Sequence, residues 1–502
     1  MSAENRNVQP SVDALVEAFR AHADASCLID AHDGRSWTYR EYLDEAVSCA
    51  ARLRAHGLAG GETVVLIMGN SVRLLVLYLA SLLGGYTVVP IDPLKGKDEV
   101  EGILSQIDVK LLITDVPERA GAARTTIDPA DLVPLGPTSG GGPSASVDAL
   151  LTVDAASTFL IAFTSGSTGV PKGVRHSFGN LALSARRFAE RFSFDEGNVF
   201  YHDLPMTYMA GILNLWLMPL LSGSSIVVGD RFSISSALSF WDDPIRHRVN
   251  TFWFIPAILS ILLKVDRGTL GADYARQARV MGCVGTAPLD PRTKKMFMER
   301  YGIELYESYG LSETLFVSTE RPGDRCAEGG VGSPLDGVEV TFGPDDEIRI
   351  RAEWMFQGYR HETDGDRDRG QTFDSGDIGT VDAHGHLAIT GRKKDIIIRG
   401  GINISPRSIE SVLADSDEIE SAVVLGIPDG SLGEKTVCMY VPREGRFTER
   451  SLGTIGARVV ERLGPACRID EFFRLDDVPR NINGKIDMRA LRALYGNASG
   501  KT

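Results

Sequence analysis

Between residues 63 and 163, short and mostly apolar runs alternate with helical patterns, and this alternation restricts the possible folds more than any other feature. Residues 63–68, 86–91, 110–114 and 158–163 read as buried strands, and 71–83 reads as a helix between the first two. Strands with no polar alternation must be covered on both faces, and helical crossovers between them give a largely parallel sheet. A second set of such elements includes strands at 224–228, 251–254 and 279–281. Val12, Leu15, Val16 and Phe19 recur at helical spacing and predict an amphipathic first helix. From Val338 onward the pattern changes to short strands at 347–351, 379–381 and 387–389, separated by turn residues, which predicts antiparallel pairing.

The chain turns strongly basic at Gly391-Arg392-Lys393-Lys394-Asp395. It then restarts with a strand at 396–398, a double glycine (Gly400, Gly401), a helix from Ser405 and strands at 421–425 and 436–441. At 502 residues the chain is too long for one core. The expected division is residues 1–391, a boundary at 392–395, and a small α+β unit at 396–502. A glycine- and proline-rich stretch at 134–146 reads as a surface linker.

A net charge of −14 argues against a general nucleic-acid binder, because duplex affinity rests on Lys and Arg neutralising phosphates. The six cysteines lack any C-x-x-C pair, so their spacing indicates neither a zinc site nor a disulfide framework. The polar N-terminus shows no signal peptide. The apolar window 208–221 is interrupted by Gly211, Asn214 and Pro219 and is too short to span a bilayer, so it reads as a buried helix. The expected location is cytoplasmic.

The run Thr164-Ser165-Gly166-Ser167-Thr168-Gly169-Val170-Pro171-Lys172-Gly173 follows the apolar strand at 158–163. It joins four hydroxyls, three glycines and a lysine, a composition that can turn N–H groups and side-chain donors onto one polyphosphate. A Walker A loop needs glycine before the lysine and Ser or Thr after it; here Pro171 and Gly173 take those places. A plain flexible surface loop is the alternative from composition alone.

Five further segments carry chemistry. Tyr306-Glu307-Ser308-Tyr309-Gly310-Leu311-Ser312-Glu313-Thr314 sets an aromatic, a glycine, a hydroxyl and a carboxylate in order, able to stack a base and hold a hard cation. Phe373-Asp374-Ser375-Gly376-Asp377 is a turn ending in a carboxylate that could accept from two ribose hydroxyls. The basic stretch 391–395, the turn Gly400-Gly401-Ile402-Asn403-Ile404-Ser405-Pro406, and Asn481-Ile482-Asn483-Gly484-Lys485-Ile486-Asp487 complete the set. Read singly, these would be a solvated charge, a β-turn, a basic linker, a helix cap and an exposed lysine.

In order and spacing, the six segments resemble the adenylate-forming superfamily of acyl-CoA synthetases, peptide-synthetase adenylation domains and luciferases, over residues 35–492. The resemblance implies an α/β fold. A large N-terminal domain would have two sheet-and-helix subdomains plus a small β-barrel, followed by a small, mobile α+β C-terminal lid. It further implies that residues 164–172 (Thr164, Ser165, Gly166, Ser167, Thr168, Gly169 and Lys172) grip the β- and γ-phosphates of ATP. Gly285, Thr286 and Ala287 would line the adenine and acyl sites, with Glu307, Ser308, Tyr309 and Gly310 on the other side of the base. Ser312 would contact the α-phosphate, and Glu313, with Thr164, would hold Mg²⁺. Asp377 and Arg392 would bind the ribose, Lys394 would be the hinge, Gly400 and Gly401 would face the thiol tunnel, and Lys485 would be the catalytic lysine of the lid.

The segment Leu204-Pro205-Met206-Thr207-Tyr208-Met209-Ala210-Gly211 resembles the family's acyl-pocket motif, with tyrosine at 208 where many CoA ligases carry histidine. Tyr208, Met209, Ala210, Gly211 and Phe254 are the expected pocket residues. Amino-acid-activating members place an aspartate where Ala210 stands, which disfavours an α-amino acid; Met206, Met209, Trp253 and Phe254 favour an aryl or short-to-medium-chain acid. The expected reaction is ATP- and Mg²⁺-dependent formation of an acyl-adenylate followed by thioester transfer to coenzyme A. The alternative is a stand-alone adenylating enzyme that loads a phosphopantetheinylated carrier protein. A catalytically silent nucleotide-binding protein on the same fold is disfavoured by Glu313, Asp377, Arg392 and Lys485.

Overall fold

The computed structural model describes residues 11–119, 126–135, 154–164, 171–324, 326–327, 329–360, 372–399, 402–429, 432–481 and 484–499. The linker expected at 134–146 lies outside these beyond Leu135. So do the loop residues 165–170 and the double glycine at 400–401.

Thr63–Ile67 pairs in parallel with Thr87–Ile91 on one side and Leu111–Thr114 on the other. Thr126–Ile127 and Thr158–Thr164 extend this sheet, and Lys172–Ser177 closes it as an antiparallel edge. The helix Val72–Gly84 is capped by Ser71, whose Oγ accepts from the Leu74 N–H at 3.3 Å, and is ended by left-handed Gly85. Nearly every side chain on this helix is buried, which explains why its sequence shows no polar face.

A second sheet has the order Ser333–Pro334, Leu315–Thr319, Glu304–Leu311, Met281–Val284, Thr251–Phe254, Val199–His202, Ser225–Val228, Ser26–Asp30, Ser36–Thr38. Its centre is parallel and its two ends are antiparallel. One continuous core joins both sheets, with Trp216, Phe188, Phe200 and Leu160 fully enclosed. The apolar window around residue 210 is helical but opens as a π-helix, Ala210–Leu217, before one α-turn, Met218–Leu221, that carries Pro219 in its first turn. Among the described residues no helix is long and apolar enough to cross a membrane.

Val338–Phe342, Glu347–Ala352, Phe373–Val381 and Leu387–Arg392 form the small antiparallel unit, tied to its neighbours by bridges Gly330 to Ala388 and Val174 to Tyr359. Beyond it, Ile397–Arg399, Ile402–Ile404, Ile419–Asp429, Gly433–Pro442 and Glu471–Arg474 make a separate sheet. Alternate residues of its two long strands serve different cores. Val424, Cys438 and Tyr440 pack with Ile409, Leu413 and Val459, whereas Val423, Leu425, Val437 and Met439 pack with Leu475, Leu491 and Tyr495. The period-2 side-chain alternation of a strand requires this division when helices cover both faces.

Candidate active site

Antiparallel register sets Asp377 opposite Arg392. The Asp377 carboxylate is 1% exposed; its Oδ1 meets Arg392 Nε at 2.7 Å and its Oδ2 accepts from the Tyr309 hydroxyl at 2.7 Å. A buried carboxylate needs such partners, since desolvating an unpaired charge costs several kcal/mol. Burial and the neighbouring Asp377 raise the Tyr309 phenol well above its usual range, so it remains a donor. Gly310 follows at an irregularity in the strand pairing, where a Cβ would lie 2.0 Å from the Leu315 carbonyl oxygen. Only glycine fits there.

Lys172 opens the antiparallel strand and pairs opposite Thr164. Ser165, Gly166, Ser167, Thr168 and Gly169 lie outside the described residues. The Lys172 ammonium stands 5.1 Å from the centre of the Tyr359 ring, and the Tyr359 hydroxyl donates to Glu313 Oε1 at 2.8 Å. A cation, an aromatic ring and a carboxylate are thereby held in sequence. Thr164 Oγ1 reaches the Lys172 carbonyl only at 3.5 Å. His176, on the same face of the strand as Lys172, is fully buried and donates from Nε2 to the Ser312 carbonyl at 2.6 Å. Burial lowers its pKa to about 4, so the ring is a neutral structural donor.

Gly285, Thr286 and Ala287 leave the end of Met281–Val284. A Cβ on Gly285 would come 2.8 Å from Ser308 Oγ, which itself donates to the Val284 carbonyl at 3.0 Å. Thr286 has φ +72°, a left-handed conformation that a β-branched residue adopts only when its surroundings impose it. Glu307 is buried. It meets Lys294 at 3.1 Å, while Glu320 bonds both Lys294 (2.7 Å) and the Glu307 N–H (2.6 Å). Burial pushes the Glu307 carboxyl up to about 7 against the opposing pull of Lys294.

At the acyl segment, Asn70 acts as a clasp. Its Nδ2 donates to the Leu204 carbonyl at 2.8 Å and its Oδ1 accepts from the Met206 N–H at 2.9 Å. Tyr208 and Met209 are half-buried, and Ala210 and Gly211 begin the π-helix. A Cβ on Gly211 would fall 2.3 Å from the Pro205 carbonyl oxygen. The structure differs from expectation at Phe254, whose ring lies inside the aromatic core, 5.1 Å from Phe252 and 5.3 Å from Phe297. Met206 and Trp253 are buried likewise. The strand Thr251–Phe254 is enclosed on both faces, so its aromatics fill the interior.

Lys485 sits on a tight turn. The Asn481 N–H donates to the Lys485 carbonyl at 2.8 Å, and Asn481 Oδ1 accepts from the Lys485 N–H at 3.1 Å. Left-handed Gly484 abuts the N-terminal domain, where a Cβ would be 3.1 Å from Ala257 Cβ and 3.2 Å from Ile255 Cδ1. Burial holds the Lys485 ammonium below the usual lysine range; Arg392 and Lys394 add to this, and Asp377 opposes it. The lysine is thus within electrostatic reach of the Asp377–Arg392 pair.

Further contacts hold the C-terminal domain against the N-terminal part. Arg292 meets Asp417 at 2.7 Å, Lys264 meets Glu420 at 2.5 Å, and Ser405 Oγ donates to the Thr390 carbonyl at 2.7 Å. Lys394 is exposed on the short turn Lys393–Asp395, beside the Lys393–Glu347 pair at 2.8 Å. Gly400 and Gly401 lie outside the described residues.

Tyr359, His176, Lys294 and Arg407 were not legible as site residues. His176 could have been found by period-2 counting from Lys172. Arg407, in the first turn of Pro406–Ala414, interacts with Glu410 on its own helix and with Glu307 and Asp377 of the preceding part of the chain, which only tertiary packing could show.

The profile of the AMP-binding enzyme family matches residues 15–360, and that of the AMP-binding enzyme C-terminal domain matches residues 408–485. The chain is 30% identical to the sulfoacetate–CoA ligase of Cupriavidus necator, covering 96% of this chain and 98% of that one. It is 28% identical to the medium-chain fatty-acid–CoA ligase of Escherichia coli, over 96% and 89% of the two chains. Among solved structures, the ATP-bound RpMatB-BxBclM chimera B1 superposes with a TM-score of 0.85 at 25% identity, over 96% of this chain and 98% of that one. The two sheets, the small antiparallel unit and the docked C-terminal domain are therefore those of an AMP-binding enzyme, and the chain belongs to this adenylate-forming superfamily.

Proposed function

We propose that the protein activates a carboxylic acid with ATP, releasing pyrophosphate, and passes the acyl group from the adenylate to coenzyme A. The chain is an AMP-forming CoA ligase; loading of a carrier protein is the second reading for the same first step. One observation carries the proposal most directly: the Lys485 turn rests on Ile255 and Ala257 with its ammonium in reach of Asp377 and Arg392. Attack of a carboxylate on the α-phosphate brings two anions together. A cation delivered to that point lowers the barrier by electrostatic stabilisation. No general base is required, because the attacking carboxylate is already ionised near neutrality.

In this reading Asp377 accepts from the ribose hydroxyls and Arg392 assists. Tyr309 flanks the base and fixes Asp377, and Gly285 to Ala287 form the opposite wall. Lys172 and residues 164–169 hold the polyphosphate, and Ser312 contacts the α-phosphate. Glu313 supplies a hard oxygen donor beside Lys172, a suitable chemistry for Mg²⁺, with Thr164 as its companion; the cation would shield phosphate charge. Lys394 is the hinge on which the lid turns so that a thiol can enter past Gly400 and Gly401, with residues 392–395 as the domain boundary.

The acid is an aryl or short-to-medium-chain acid and not an α-amino acid. Ala210 offers no counter-charge to an ammonium. Asp203 is buried, with its carboxyl pushed up to about 8, and so stays largely neutral. The test is acid-dependent pyrophosphate release followed by mass analysis of the thioester, with CoA and a phosphopantetheinylated carrier compared as acceptors. Lys485→Ala should suppress release by about 1,000-fold, the factor that corresponds to roughly 4 kcal/mol for a cation–anion contact near a protein surface. It should leave CoA transfer from a supplied acyl-adenylate largely intact. Equal loss in both half-reactions would overturn the assigned role.

A further inference from the structure

We propose that Asp324, Cys326 and His386 form a binding site for one zinc ion, separate from the nucleotide site and sharing no residue with it. Oδ of Asp324, Sγ of Cys326 and a ring nitrogen of His386 all lie within 4.8 Å of one another. They come from two segments that the fold pins together: the Val331 N–H donates to the Leu387 carbonyl at 2.7 Å, and the Leu387 N–H to the Gly332 carbonyl at 2.8 Å. The donors are therefore brought together by the backbone, whereas in the sequence His386 stands 60 residues beyond Cys326.

The hydrogen bonding around the three donors is that of a metal site. Asp382 Oδ2 meets His386 Nδ1 at 3.1 Å and fixes the ring, which directs Nε2 toward Asp324 Oδ2 at 4.0 Å. A carboxylate on the far nitrogen of a ligating histidine is the recurrent outer support of zinc sites. Asp382 is itself immobilised, since its Oδ1 accepts the N–H groups of His384 (2.8 Å) and His386 (2.9 Å). On Asp324, Arg321 occupies Oδ1 at 3.0 Å, while Oδ2 is buried without a hydrogen-bond partner. An acceptor left over in a half-buried cluster, facing an imidazole and a thiol, is what a cation would satisfy.

The donor set selects the metal. One sulfur, one imidazole and one carboxylate suit Zn²⁺, while Mg²⁺ takes oxygen ligands only. Zn–N and Zn–O distances of roughly 2.0–2.2 Å and Zn–S of roughly 2.3 Å need the three donors to draw closer together around the ion. Three protein ligands leave a fourth position for water. The bound ion would staple the segment that carries Asp324 and Cys326 to the hairpin that carries His386.

The full chain, purified without a histidine tag and kept reduced with a phosphine, is titrated with Co²⁺ alone. The expected result is a sulfur-to-cobalt charge-transfer band in the near ultraviolet, saturating at one equivalent and erased by Zn²⁺. Cys326→Ser should abolish the band, and His386→Ala and Asp324→Ala should weaken binding by at least 100-fold. Asp382→Asn should weaken it 10- to 100-fold with the band retained. Absence of the band in the wild type, or an unchanged band in the Cys326→Ser variant, overturns the site. Folding is checked by near-ultraviolet circular dichroism, and the His386→Gln variant serves where His386→Ala does not fold.

Discussion

Replacing Asp377 by Asn keeps the shape of the side chain and removes its charge, which separates a structural role from a nucleotide-binding one. In the free enzyme the amide oxygen still accepts from Tyr309, and only the Arg392 contact is lost. Arg392 is half exposed, so that pair contributes about 0–1 kcal/mol to stability. At a few degrees per kcal/mol for a domain of this size, Tm should move by less than about 4 °C. The bound state differs. Two hydrogen bonds from ribose hydroxyls to a carboxylate are worth roughly 1.5–3 kcal/mol each, and neutral acceptors about half of that. The variant should therefore lose about 2 kcal/mol, roughly 30-fold in kcat/KM for ATP. Pyrophosphate release at saturating acid measures this, with 2′-deoxy-ATP as a second substrate. The wild type should discriminate against the deoxynucleotide, and Asp377→Asn should do so by a clearly smaller factor. An unchanged kcat/KM, or equal discrimination in both proteins, would refute the ribose role.

Gly484→Val should impair adenylation more than thioester transfer, because a branched side chain strikes Ala257 and Ile255 and the left-handed backbone disfavours it; the two half-reactions assayed separately will decide. Gly211→Ala should destabilise the protein by about 1–3 kcal/mol, read as a fall in Tm, since its Cβ would overlap the Pro205 carbonyl. Burial lowers the His176 pKa to about 4 from its ordinary value near 6.5, so the unfolded chain gains a proton first on acidification. Stability from this group is complete above pH 6.5 and is lost as pH falls toward 4, and His176→Gln should show a shallower fall in Tm across that window.

The order of strands and helices was legible because short, mostly apolar runs without polar alternation require a sheet covered on both faces. The helix at Val72–Gly84 and the strands around it stand where periodicity put them. The chemistry at Thr164, Lys172 and Asp377 was visible as local composition, since glycines, hydroxyls and charges act within a few residues, but Phe373–Asp377, which reads as a turn, lies within the strand Phe373–Val381, where the pairing is irregular and Gly376 takes a positive φ. The sequence by itself determined which groups could meet a phosphate, a ribose or a hard cation. Tertiary structure alone decided which of them face one another. Antiparallel register brings Arg392 to Asp377, enclosure takes Phe254 and Met206 into the core, and a docked turn carries Lys485 across the domain boundary. Those outcomes depend on contacts between residues tens to hundreds of positions apart, which no local pattern of polarity encodes.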